Sequence, residues 1–224
     1  MKIGLIYTST TPELIELVEK EVRGQLGGDV ELYSLEDPSI LSETRDAGYV
    51  TTKAAARLVA MYMKAACEDC DGILNLCSSV GEVADSAQDV AAYIGMPIVR
   101  VDEEMCREAV RRGTRIAVMA TLPTTLEPTK NTIKRMSREC GRAVELVDCL
   151  VEGAFGLNQD EFRARMSESA GMIADKADVI VFAQGSMAYC EAYISEAYNK
   201  VVLSSPAFGA RALKSALIKK GTIH

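Results

Sequence analysis

"DGILNLCSSV" (Asp71–Val80) lies without a gap over "DVIVFAQGSM" (Asp178–Met187), 107 residues further along the chain. In each, an acidic residue opens an apolar run too short for a helix, and the run ends in a turn of small and polar residues. A second pair recurs in the same order: "IGLIYTSTTPEL" (3–14) resembles "IAVMATLPTTLE" (116–127), each an apolar strand feeding a Thr-rich turn. The repeated pairs predict an α/β protein of two pseudo-symmetric lobes related by a pseudo-twofold, each a parallel β-sheet flanked by helices. The first lobe is expected over 1–100 and 206–224, the second over 101–205.

The rest of the chain fits that frame. Strands are expected at 2–7, 29–35, 72–76, 97–101, 114–120, 143–147, 178–183 and 200–204. "PELIELVEKEVRGQL" (12–26) places Leu14, Leu17, Val18 and Val22 on one helical face, and an Ala- and Met-rich helix is expected across 50–68. Strands alternating with helices indicate βαβ units, and no Pro/Gly/Ser-rich linker interrupts them. The ten methionines fit as gap-fillers in a helix–sheet core.

Composition excludes several functions. The 224 residues carry a formal charge of −7, with no basic run of the kind that grips a phosphate backbone, so no nucleic-acid partner is expected. No apolar stretch is long enough to span a membrane, and "MKIGLIYTSTTPE" is too short in its apolar part for a signal peptide. Seven cysteines, an odd number, read as reduced thiols of a cytoplasmic protein. The only histidine is His224, so Ser-His-Asp and Cys-His chemistry lack their base, and a His-rich zinc site is excluded. Cys67 and Cys70 form a single CxxC with no second pair, which reads as core or surface cysteine, so no metal is expected.

In parallel α/β sheets ligands bind beyond the carboxyl ends of the strands. The turns there are "TSTT" (8–11), "CSSVG" (77–81), "TLPTT" (121–125), "QGS" (184–186) and "SSP" (204–206), all hydroxyl-rich and none with Lys or Arg. With backbone N–H groups at the helix starts adding donors, they are expected to bind a carboxylate without a formal positive charge. The competing reading is helix capping, because Thr10–Glu13 and Thr124–Glu127 both fit the T-x-x-E capping box. Cys77 ends a strand where a helix should begin, a position that lowers a thiol pKa and favours a reactive thiolate over a core cysteine.

"IGLIYTSTTPE", "NLCSSVGEVAD", "VRVDEEM", "RIAVMATLPTTLEPT", "LVEGAF" and "ADVIVFAQGSMA" together resemble the aspartate/glutamate/hydantoin racemase superfamily over nearly the whole chain. The resemblance implies an active site in the cleft between the lobes and cofactor-independent proton transfer beside a carboxylate. It implies one catalytic cysteine from each lobe, and Cys77 occupies the first position. The second position holds Gln184, whose neutral amide is neither base nor proton donor near pH 7. Cys190 lies six residues on, which at α-helical spacing is about 600°, or about 120° off that face. The expected enzyme uses Cys77 as acid/base or nucleophile. Thr8, Ser78, Ser79, Thr121, Thr125, Gly185 and Ser186, with Gln184, would bind the oxygens of a small carboxylate substrate. Other readings are a one-cysteine decarboxylase or cis–trans isomerase on the same scaffold, and a carboxylate-binding protein without turnover. The remaining expected partner is the chain itself, as a dimer or larger homo-oligomer.

Overall fold

The computed structural model describes residues 1–223; His224 lies outside the described residues. It contains two compact units, Met1–Val101 with the segment from Pro206 onward, and Asp102–Ser205. In the first, the elements are β1 (Lys2–Tyr7), α1 (Pro12–Leu26), β2 (Glu31–Glu36), α2 (Pro38–Ala47), α3 (Thr52–Cys67), β3 (Gly72–Asn75), α4 (Gly81–Ser86), α5 (Gln88–Ile94) and β4 (Ile98–Arg100). In the second they are α6 (Glu103–Arg112), β5 (Arg115–Ala120), α7 (Pro123–Cys140), β6 (Glu145–Leu150), α8 (Gln159–Ile173), β7 (Val179–Phe182), α9 (Glu191–Tyr198) and β8 (Val201–Leu203). α10 (Ser205–Lys220) then rejoins the first unit.

Each unit holds a four-stranded, all-parallel sheet, ordered β2-β1-β3-β4 in one and β6-β5-β7-β8 in the other. The same order arises twice because the same strand–turn signals recur twice. The central strands β1, β3, β5 and β7 are buried almost throughout, as expected of parallel strands covered on both faces. One face of the first sheet packs Ile3, Leu5 and Leu74 against α1 and α10, through Val18, Val22, Leu213 and Leu217. The other packs Ile6 and Ile73 against α3, through Leu58, Tyr62 and Ala65. In the second unit Ala117, Ile180 and Phe182 pack against Phe162, Met166 and Ala170 of α8.

All eight expected strands are present, with edges that move by a few residues. The expected strand 143–147 is observed as Glu145–Leu150. α2 lacked a sequence assignment, yet its signals are local: Asp37 caps it by accepting from the Ser39 N–H at 3.0 Å, Pro38 opens it, and Gly48 closes it at φ 79°.

Neither expected capping box forms. α1 is capped by Thr11, whose Oγ1 accepts from the Leu14 N–H at 3.2 Å, while Thr10 donates to Glu36 Oε1 at 2.8 Å. Pro12 sets this register, since a proline is best placed at the first helical position and pushes the cap to the residue before it. α7 likewise opens at Pro123, which puts Thr124 inside the helix and leaves Leu122 as a cap without a side-chain acceptor. Among the described residues no helix is long and apolar enough to cross a membrane.

α10 reaches its sheet only because Gly209 has no side chain. A Cβ there would lie 2.9 Å from Val101 Cα and 3.1 Å from its carbonyl oxygen, backbone atoms that cannot swing aside. Gly209→Ala is therefore expected to destabilise by about 1–3 kcal/mol. The melting temperature should fall by roughly 2–4 °C for each of those kcal/mol. An unchanged melting temperature would mean that α10 has room to shift.

Candidate active site

Parallel pairing places the turns after neighbouring strands side by side. β1 and β3 pair Ile6 with Asn75, and the ladder continues as the Leu76 N–H donates to the Ile6 carbonyl at 2.9 Å. Thr8 and Cys77 therefore emerge together. β5 and β7 repeat this: Met119 pairs with Phe182, and the Ala183 N–H donates to the Met119 carbonyl at 2.9 Å. Thr121 and Gln184 emerge together in turn.

Cys77 and Gln184 hold equivalent backbone positions. Both are extended, at φ −134°, ψ 113° and φ −124°, ψ 133°, and each immediately precedes a 3₁₀ helix, Ser78–Val80 and Gly185–Cys190. The helix expected to start after Cys77 is thus a tight 3₁₀ turn leading into the six-residue α4.

Cys77 is half-buried, and Thr8, Ser78 and Ser79 around it are buried. Burial pushes its thiol pKa up from the ordinary value, opposed by the Thr8 hydroxyl, the N–H groups of Val80 and Ser79, and the Ser79 hydroxyl. The direction is opposite to the lowering expected from a helix start. One 3₁₀ turn supplies a few N–H groups and almost no macrodipole, and desolvation of the charged form outweighs them. Cys67, by contrast, is exposed.

The Thr8 hydroxyl is buried without a well-formed hydrogen bond; it lies close enough to the sulfur to favour the thiolate but is not aligned with it. The Tyr7, Thr124 and Ser205 hydroxyls, also in or beside strand-end turns, are buried without partners as well. Such orphans are rare in folded proteins and call for a ligand or ordered water. Thr125 is buried in the first turn of α7, and Gly185 and Ser186 are partly exposed at the start of their 3₁₀ helix. In the fifth turn Ser204 donates to Glu191 Oε2.

Gln184 is held by Thr121. Its Oε1 accepts from the Thr121 N–H at 2.7 Å and from the Thr121 hydroxyl at 3.0 Å. A backbone N–H only donates, so the amide orientation is forced, and the group left to face outward is the Nε2 donor pair. Thr121, expected to bind substrate, spends both donors on Gln184.

Cys190 is fully buried in the second unit's core. The segment leading to it is 3₁₀, where six residues make two whole turns rather than the offset expected at α-helical spacing. Burial, not angle, removes this thiol from the site, and burial also raises its pKa.

Sequence reading passed over the polar groups behind Cys77. The Tyr62 hydroxyl donates to Asn75 Oδ1 at 3.0 Å, and Asn75 Nδ2 donates to the Cys77 carbonyl at 3.1 Å. The buried Arg100, at the end of β4, pairs with Asp85 at 2.6 Å. The signals were a polar residue inside each of two apolar strands, Asn75 in "GILNL" and Arg100 in "PIVRV". Among the described residues no cluster of three or more His, Cys, Asp or Glu could hold a metal.

Two outcomes follow from this geometry. With its pKa raised, Cys77 carries little thiolate at pH 7, so iodoacetamide should label the exposed Cys67 first. Labelling of Cys77 should keep climbing above pH 9, and a bound carboxylate should suppress it; a plateau below pH 8 would contradict the burial argument. Thr8→Val replaces an unsatisfied hydroxyl by a methyl of the same shape. It should leave the empty protein as stable or about 1 kcal/mol more so, while reducing the thermal shift produced by a carboxylate ligand.

Residues 3–213 match the model of the Asp/Glu/Hydantoin racemase family. Solved structures with the same fold include allantoin racemase from Klebsiella pneumoniae, at 17% identity and TM-score 0.67, covering 99% of this chain and 89% of that one. A glutamate racemase isoform from Bacillus anthracis aligns at 14% identity and TM-score 0.75, covering 98% and 82%. The aspartate racemase of Picrophilus torridus aligns at 11% identity and TM-score 0.64, covering 98% and 94%. No curated protein sequence matches. With the family match spanning nearly the whole chain, and two sheets of identical strand order beneath it, the protein belongs to the Asp/Glu/Hydantoin racemase family.

Proposed function

We propose that this protein is a cofactor-independent isomerase-type enzyme that moves a proton on one face of a carbon next to a carboxylate, with Cys77 as the acid/base. The observation that carries the reading is the inequality of two equivalent turns: one presents a thiol and the other an amide locked as a donor. The Cys77 thiolate takes the proton, the C–H bond breaks as S–H forms, and the electron pair moves onto the carboxylate as an enediolate. In the Cys77 turn Thr8, Ser78 and Ser79 donate to the substrate oxygens, and in the equivalent turn of the second unit Gln184 Nε2, Gly185 and Ser186 present donors of the same kind. Donors aimed where charge develops supply the stabilisation. The thiol returns a proton to the same face of that carbon, so this step exchanges the hydrogen with solvent and leaves the configuration unchanged.

A raised thiol pKa suits this role, because a neutral thiol is also a competent proton donor. The lone thiol equally favours a decarboxylation in which the C–C bond breaks, CO2 leaves, and the Cys77 S–H protonates the enediolate carbon. The substrate class is a small amino acid or related acid, in keeping with the aspartate and glutamate racemases that share the fold. The proposal includes a homo-oligomer working in the cytoplasm, in keeping with seven free cysteines.

Proton NMR in D2O over a panel of small carboxylates tests this. Exchange at one carbon without inversion, or loss of CO2 with single deuteration, is expected, and Cys77→Ala should abolish either with little change in stability. Gln184→Cys should create or raise racemization, though a misplacement of order 1 Å can reduce the gain about 100-fold. Rapid racemization by the parent, with deuterium in both enantiomers, would show that a second base exists and overturn the single-thiol reading.

A further inference from the structure

We propose that Arg100 is a positioning residue for Cys77: its guanidinium, seated against Gly81, holds the 3₁₀ turn whose N–H groups face the sulfur. The inference rests on Cys77 being the acid/base.

Gly81 closes the turn Ser78–Val80 and opens α4, at φ −59° and ψ −31°, which any residue adopts. Its identity is therefore not set by backbone conformation. It is set by space, since a Cβ at Gly81 would lie 2.5 Å from Arg100 Cζ and 2.7 Å from Arg100 Nε. The guanidinium occupies the place where a side chain would begin. It has little freedom to retreat, because its side chain is 2% exposed and bonded to Asp85 of α4 at 2.6 Å. One buried cation thus braces both ends of the same stretch, the glycine at the end of the turn and the carboxylate one helical turn later.

The Cys77 end is fixed by a separate chain. Tyr62 of α3 bonds Asn75, and Asn75 bonds the Cys77 carbonyl. Between these two anchors lie Ser79 and Val80, whose N–H groups favour the thiolate. The charged and titratable groups about the turn include Tyr62 from α3, Glu82 and Asp85 from α4 and Arg100 from β4. Tyr62 titrates above its ordinary range through burial first, with Cys77 and Asp85 adding to the rise and Arg100 opposing it. Arg100 acts on Cys77 through the turn, because Asp85 offsets much of its charge.

The test is the pH dependence of Cys77 alkylation by iodoacetamide in the intact protein, read by mass mapping. The buried Cys106, in the other unit, and the buried Cys70, in the same unit, report any loss of fold. Arg100→Met removes the brace, and Gly81→Ala pushes it away while keeping every charge. Both should move the Cys77 midpoint up by about one pH unit, the effect of losing part of one hydrogen bond to the thiolate. That is roughly tenfold slower labelling at a fixed pH below the midpoint. Arg100→Lys, which keeps the charge but not the flat guanidinium, should recover only part of the shift. If Arg100→Met fails to fold, Gly81→Ala carries the test. An unshifted midpoint in the folded variants, with a parent Cys77 that titrates and is needed for turnover, would overturn the role of Arg100 alone. A parent Cys77 whose labelling ignores pH would overturn the acid/base reading and this inference together.

Discussion

Parallel hydrogen bonding is the constraint on which the rest depends. A parallel sheet puts every strand's carboxyl end on one edge, and the ladder bond from Leu76 to Ile6 delivers Thr8 to Cys77. The same bond from Ala183 to Met119 delivers Thr121 to Gln184. No side chain at the site had to be found by a long loop. Burial of β1, β3, β5 and β7 on both faces fixes the register of these pairs, so the placement of these side chains inherits its precision from the core.

The same burial sets the cost of the thiolate. Desolvation raises the Cys77 pKa against four nearby donors, so the resting group is a thiol and the anion forms only with help. The buried hydroxyls of Tyr7, Thr124 and Ser205 fit the same logic, since a fold that leaves several donors unpaired at strand ends has forgone stability there.

The strands were legible in the sequence because parallel strands write themselves as short apolar runs, and because each signal occurs twice. The equivalence of the two turns at Cys77 and Gln184 was legible in the aligned repeats, and the backbone there matches. Helix starts were less so. The T-x-x-E pattern named Thr10 and Thr124, but proline placement decided the caps, moving one to Thr11 and removing the other. Cys190 was set aside on α-helical spacing, whereas the segment is 3₁₀ and burial is what removes it. The direction of the Cys77 pKa was misread because a strand-to-helix boundary in sequence does not reveal how little helix follows. Arg100 and Asn75 were passed over because a lone polar residue in an apolar strand announces burial, not its partner.

The repeat explains how two equivalent turns can carry different side chains on the same fold. Thr8 and Thr121 align in the repeated "IGLIYT" and "IAVMAT" segments, so Thr8–Cys77 and Thr121–Gln184 are equivalent pairs. In the first pair the threonine hydroxyl faces a thiol and stays without a formed bond. In the second, the amide carbonyl takes both the hydroxyl and the N–H of the threonine. An amide is the side chain suited to that exchange: its oxygen satisfies the donors facing it, and its nitrogen restores donors to the other side. Glutamate there would accept the same two bonds but add a charge and offer no donor. Glutamine thus keeps the turn as a hydrogen-bonding surface without an ionisable group, and it leaves Cys77 as the titratable side chain of the two equivalent positions.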